Sequence, residues 1–213
     1  GLDGQSSTLA GRVDGVGSTD GPGSAACFGT QEQRTDAVLG LAASAAGVVY
    51  VADQANSTIR QIAPDGTTTT LAGVAGSTGT TDGTGTAARL NRPHDVALDS
   101  AGNLFVADTG NSSIRRITPA GQVTTFAGTS GVGGSTDGAG SVARFSNPYG
   151  ITIGPGNIVY VADTGNHVIR KIMPDGQVTT LAGQAGTAGA VDGTGTAAQF
   201  NTCLLYTSPS PRD

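Results

Sequence analysis

Lysine and glutamate are almost missing from this 213-residue chain: Lys171 and Glu32 are the only examples. With the strong helix formers depleted, what remains favours strands and turns. No apolar run approaches the roughly 20 residues that a membrane-crossing helix requires, so no membrane segment is expected. Clustered basic residues are missing too. A net charge of −5 argues against a nucleic-acid partner, which needs Lys and Arg to neutralise phosphates. Two cysteines, Cys27 and Cys203, do not make a disulfide framework. The two histidines, His94 and His167, are not at zinc-like spacing. No Ser or Cys sits in the strand–turn–helix setting of a nucleophile elbow.

Glycine, by contrast, is abundant at 35 residues, and the chain repeats itself. "VADQANSTIRQI" (51–62), "VADTGNSSIRRI" (106–117) and "VADTGNHVIRKI" (161–172) are three versions of one phrase. The position numbers of Asp53, Asp108 and Asp163 step by a constant interval of 55. The "LAG" or "FAG" triplets at 71, 126 and 181 and the "DG" pairs at Asp82, Asp137 and Asp192 keep the same interval. An upstream echo, "STLAG", ends at Gly11. From its Leu9 to Leu71 the step is longer than the repeat interval by seven, which puts seven extra residues near 29–35. A period of this length signals a propeller or solenoid.

Each repeat holds four short β-type runs. In the middle copy they are 94–99, 103–108, 112–117 and 122–128, separated by the turn-forming stretches "SAGN", "DTGN" and "TPAG". A long Gly/Ser/Thr-rich connection follows. Four meandering strands, a crossover and the same again is the pattern of a propeller blade, with the first run innermost and the fourth outermost. The expected fold is all-β. Asp53, Asp108 and Asp163 are expected to end a strand and to accept backbone N–H groups of the turn. Asn56, Asn111 and Asn166, three residues on, are expected to do the same. Arg60, Arg115 and Arg170 stand where a guanidinium can pair with a turn Asp.

The string "VYVADTGNHVIRKIMPDGQVTTLAG" (159–183), with "LNRPHDVALDSAGN" (90–103) ahead of it, resembles the NHL repeat. The resemblance covers three copies, about 37–183. It departs at 37–44, where Val38 replaces the Pro of Pro93 and Pro148, and at Asp95, which stands where Gly40 and Gly150 do. It implies a β-propeller, commonly six-bladed, that serves mostly as a binding platform in an extracellular, periplasmic or cell-surface setting. The units are then 1–36 (outer strand of a preceding blade and a connection with the insertion), 37–91, 92–146 and 147–201 (three blades with their connections), and 202–213. The last segment contains "CLLYTSPSPRD", which resembles read-through of a sequencing adapter and is expected to be a non-native or disordered tail. Three blades are too few to close a ring. The expectation is an open arc with apolar end faces and with further blades of its own chain as partners.

Leu39, His94 and Tyr149 fall at equivalent inner-strand starts. With their neighbours, Arg92, His94, Asp95, Asn147 and Tyr149 are the candidates for ligand contact at the channel mouth, the ligand being a protein, a glycan or a cell-wall component. The rim is expected to carry both the "DTGN" turns and the long connections. Asp82, Asp137 and Asp192 are weak candidates for calcium: one carboxylate per loop is thin for six or more oxygens, and an Asx turn accounts for the spacing. No other cofactor is expected. His167 reads as a surface turn residue. Two alternatives stand beside a non-catalytic module. One is a propeller enzyme of the lactonase or amidating-lyase type, for which channel Glu or His groups are scarce here. The other is a structural or sensor ectodomain segment.

Overall fold

A computed structural model describes residues 6–12, 15–30 and 38–203, the side chains of residues 38 and 39 excepted. Three antiparallel sheets stand side by side and leave the arc unclosed. The first is β1 (Val38–Ala43), β2 (Val49–Asp53), β3 (Thr58–Ile62) and β4 (Thr68–Ala72) in sequential order. After a very short strand, β5 (Gly83–Thr84), the second sheet is β6 (Pro93–Leu98), β7 (Leu104–Asp108), β8 (Ser113–Ile117) and β9 (Gln122–Ala127). The third is β10 (Pro148–Gly154), β11 (Ile158–Asp163), β12 (Val168–Ile172) and β13 (Val178–Ala182). The strands of the middle blade match the four runs read from the sequence to within a residue. β6 lies between β1 and β10, so the first strand of each blade is the inner one.

The core is two seams rather than one centre. Between the first and second blades Ile59, Ala72, Ala88 and Leu90 meet Val96, Leu104, Val106, Ile117 and Val123. Between the second and third, Ile114, Ala127, Ala143 and Phe145 meet Ile151, Val159, Val161, Ile172 and Val178. The same positions recur at the repeat interval. A blade has two apolar faces because each packs against a neighbour, and this is why its strands read as nearly continuous apolar runs.

Two expectations are corrected. The upstream "STLAG" forms no strand: residues 6–12 pair with no strand among the described residues, and a strand needs a paired neighbour. The long connections also do not stay at the "DTGN" end. β5 pairs with β9 through Gly83↔Val123 and Thr84↔Gln122, at the end of β9 remote from that turn. Gly21↔Thr68 and Gly138↔Val178 repeat the contact in the other two blades. Each connection is laid along the following blade's outer edge, where its backbone groups bond to an otherwise open ladder. The expected insertion and Glu32 fall largely or wholly within 31–37, outside the described residues, as do residues 204–213 of the tail.

Candidate functional site

Two constellations recur in the fold: a charged cluster buried in each seam, and a polar–aromatic group where the inner strands begin.

The buried cluster starts with the turn after each second strand. Thr109–Asn111 forms a 3-10 turn, and Ser112 closes it in the left-handed region at φ 51°. Gln54–Asn56 with Ser57, and Thr164–Asn166 with His167, do likewise. The turn brings Asn111 back onto Asp108, whose Oδ2 accepts from Asn111 Nδ2 at 2.8 Å and from Arg115 Nη1 at 2.9 Å. Oδ1 accepts from the backbone N–H of Asn91 at 2.8 Å. In the other blades Asp53 accepts from Gly29, Asn56 and Arg60, and Asp163 from Ser146, Asn166 and Arg170. The N–H that each Asp takes belongs to the incoming connection, not to its own turn. The Asn residues donate rather than accept, to Asp and to connection carbonyls such as Gly79 and Gly134.

Each arginine then reaches across the seam. Arg115, with a fully buried side chain, donates through Nη2 to Asp82 of the preceding connection at 2.6 Å, and it also bonds the carbonyls of Arg89 and Thr81. Asp82 accepts in addition from the backbone N–H and hydroxyl of Thr125 on β9. Arg170 holds Asp137 at 2.7 Å and Arg60 holds Asp20 at 2.6 Å, with Thr180 and Thr70 in the place of Thr125. The "DG" aspartates therefore spend their oxygens on the following blade's Arg and Thr, and neither Asp82 nor Asp137 closes an Asx turn on its own loop. Asp192 has no such partner among the described residues. Asp20, which sequence reading passed over, is a full member; the constant interval of 33 from Asp82 to Arg115 and from Asp137 to Arg170 was the signal available. Phe28 and Phe145 lie under Arg60 and Arg170 at 5.1 and 5.0 Å, a cation–π contact that Leu90 cannot make with Arg115. The three Nε atoms find no acceptor among the described residues. Burial pushes the carboxyls of Asp53, Asp108 and Asp163 above the ordinary range, while the Asn amides, backbone N–H groups and guanidinium pull the other way.

The second constellation sits at the start of the inner strands. A break in pairing register between Pro93 and Asp95 takes His94 out of the ladder, and one between Pro148 and Ile151 does the same for Tyr149. The two rings stack across the seam with centroids 4.4 Å apart and planes 21° from parallel. Just outside, Arg92 and Asn147 are exposed and take left-handed backbone angles of 51° and 46°, each immediately before a proline. Their side chains have no protein partner among the described residues. Asp95 does not join them in solvent. Its Oδ2 accepts from the N–H of Ile151 at 2.9 Å and its Oδ1 from that of Val96, so it ties two inner strands together. Burial raises its carboxyl above the ordinary value, partly offset by those two bonds. A Cβ at Gly40 would collide with Asp95, which explains glycine there. His94 and Tyr149 are thus brought together, Arg92 and Asn147 each stand two residues before one of them, and Asp95 is taken up by the inner strands. The side chain of Leu39 lies outside the described set. His167 is a turn residue as expected, and its Nδ1 accepts from the N–H of Thr202. Among the described residues, no three His, Cys, Asp or Glu side chains converge as metal ligands would.

The NHL repeat profile matches residues 90–117 and 145–172, each running from a seam residue (Leu90, Phe145) through the clamp arginine. NHL repeat-containing protein 2 from Homo sapiens is 36% identical over 132 residues, covering 57% of this chain and 18% of the relative. The chain carries NHL repeats. It spans less than a fifth of the length of the curated NHL relatives it matches. Among solved structures, an auxiliary nutrient binding protein from Bacteroides ovatus superposes with a TM-score of 0.57 at 21% identity, over 75% of this chain and 40% of its own. A chain of the nidogen/laminin complex gives 0.51 at 22% identity, over 71% and 49%. At these identities the likeness concerns the fold alone: blades stacked around an axis.

Proposed function

We propose that this NHL segment is a non-catalytic binding module that holds a saccharide at the mouth of its central channel. The observation that carries the reading is the stacked His94–Tyr149 pair flanked by the exposed Arg92 and Asn147. The repeats agree at the residues that fold them: Asp, Asn and Arg recur in every blade. They differ at the mouth, where Arg92 and Asn147 occupy one position and Leu39, His94 and Tyr149 another. Positions that folding does not dictate are where a ligand can be read. An aromatic face suits the apolar face of a sugar ring, and a guanidinium and an amide supply donors and an acceptor for its hydroxyls. Such a module belongs outside the cytoplasm, where glycans and cell-wall polymers are displayed.

The test is a glycan array probed with the purified chain, followed by titration of the sugars retained. Tyr149→Ala and Arg92→Ala should each weaken binding by about tenfold, equivalent to about 1.4 kcal/mol. Affinity unchanged in both variants, or retention of peptides and no sugars, would sink the reading.

A further inference from the structure

An Asp–Gly pair is a place where a backbone can rearrange, because glycine has no Cβ to shield its nitrogen from the preceding carboxyl. Six such pairs have both residues described: Asp20–Gly21, Asp65–Gly66, Asp82–Gly83, Asp137–Gly138, Asp175–Gly176 and Asp192–Gly193. In the first five, both reacting groups are held. Gly21 donates its N–H to the carbonyl of Thr68, Gly66 to that of Ala63, Gly138 to that of Val178 and Gly176 to that of Met173. Gly83 is paired with Val123 in the β5–β9 ladder. Asp20, Asp82 and Asp137 are bonded to the buried arginines and to Thr70, Thr125 and Thr180. Asp65 accepts from the N–H of Thr67, and Asp175 from that of Gln177.

Asp192–Gly193 has neither restraint. Both residues are exposed, the Asp192 carboxyl has no partner, and the Gly193 N–H donates to no carbonyl among the described residues. The backbone differs as well: Gly21, Gly83 and Gly138 have φ of +151°, +159° and +140°, and Gly193 lies outside that range. Access of water does not separate the pairs, because the side chains of Asp20, Asp82 and Asp137 are themselves 45%, 49% and 46% exposed. Restraint does. Ring closure brings the glycine nitrogen onto the Asp Cγ, which at the held pairs breaks hydrogen bonds at both ends.

We infer that Asp192–Gly193 is a site of spontaneous backbone modification, at which the folded chain converts aspartate to isoaspartate. The Gly193 nitrogen attacks Cγ of Asp192 and forms a C–N bond. The carboxyl hydroxyl leaves with the nitrogen's proton as water, and a five-membered imide remains. Water then adds back. Cleavage of the bond from the nitrogen to Cγ restores aspartate. Cleavage of the bond to the original backbone carbonyl gives isoaspartate, in which the chain runs through the side-chain carbonyl and the former backbone carbonyl becomes a free carboxylate. Atoms balance with water alone, and no oxidant or cofactor takes part. The inference rests on the hydrogen bonding of the loops and is independent of the saccharide reading.

The experiment incubates the full chain for weeks at neutral pH, once folded and once in urea. Peptides are scored for isoaspartate by electron-transfer fragmentation and by methyl incorporation from S-adenosylmethionine with an isoaspartyl methyltransferase. In the folded chain isoaspartate should accumulate at 192 about tenfold faster than at 82 or 137, the factor set by the hydrogen bonds that must break first at the held pairs. In urea the three sites should react at similar rates, since only the fold distinguishes them. Asp192→Glu, whose longer side chain would have to close a six-membered imide, should abolish the signal at that position and leave the melting temperature unchanged. Equal rates at the three sites of the folded chain would overturn the inference, as would isoaspartate at 192 in urea but none in the folded chain. A lower melting temperature for Asp192→Glu would also overturn it, because the carboxyl would then be held.

Discussion

Arg115 is a fully buried cation held by two carboxylates of different character: Asp108, fully buried, and Asp82, half exposed at the connection. That difference sets the order of two substitutions. Asp108→Ala strands a buried guanidinium with no water to replace the lost acceptor, and should cost about 3–5 kcal/mol, read as a fall in the chemical denaturation midpoint. Asp82→Ala leaves a site that water can enter and should cost less, about 1–2 kcal/mol. Equal losses would contradict the assignment. Asp95 gives a pH prediction. Its folded-state carboxyl is raised above 3.8 by burial, so the folded chain keeps a proton that the unfolded chain has released. Its contribution to stability is therefore most favourable below that value and declines as pH rises through the raised one. Asp95→Gly, the residue found at 40 and 150, should lose ground to the parent at acid pH and recover at neutral pH. Melting differences measured at both pH values check this, and a difference independent of pH would refute it.

At the scale of the element, each outer strand is followed directly by a glycine that the fold requires. Gly128 has φ +91°, and a Cβ there would approach the carbonyl oxygen of Ser112 at 2.9 Å. Gly73 and Gly183 share the geometry at +91° and +97°. Gly128→Ala should therefore cost about 1–3 kcal/mol. Ala at Gly131, which is also at positive φ but meets nothing within 4 Å, should cost less. Paired denaturation curves decide between them. Strand positions were legible in the sequence because the apolar run, the Asp and the turn residues recur at a fixed interval. The course of the connections was not. A stretch such as "GSTGTTDGTGTAARL" has no hydrophobic period, and its path depends on an Arg in the third strand of the following blade.

For the whole molecule, stability is distributed over seams between nearest neighbours, as in other repeat architectures. The middle blade is covered on both faces. Leu41 on the first blade is 63% exposed, although its counterparts Val96 and Ile151 are buried. Leu181 is exposed on the third blade's outgoing face. Amide hydrogen exchange should accordingly be slowest in β7 and β8 and faster in β1 and β13. Uniform protection across the three sheets would mean that the arc opens as a single cooperative unit.

The sequence by itself determined the repeat, the four strands per blade, the partnership of turn Asp with Arg, and the expectation of an arc with uncovered ends. Each of these is a local or periodic property that one blade's residues specify. Only the tertiary structure decided that Asp20, Asp82 and Asp137 clamp the next blade, that Asp95 binds β6 to β10, and that His94 and Tyr149 stack. In all of these the partners belong to different blades and lie far apart along the chain, and which groups meet depends on how one twisted sheet packs against the next.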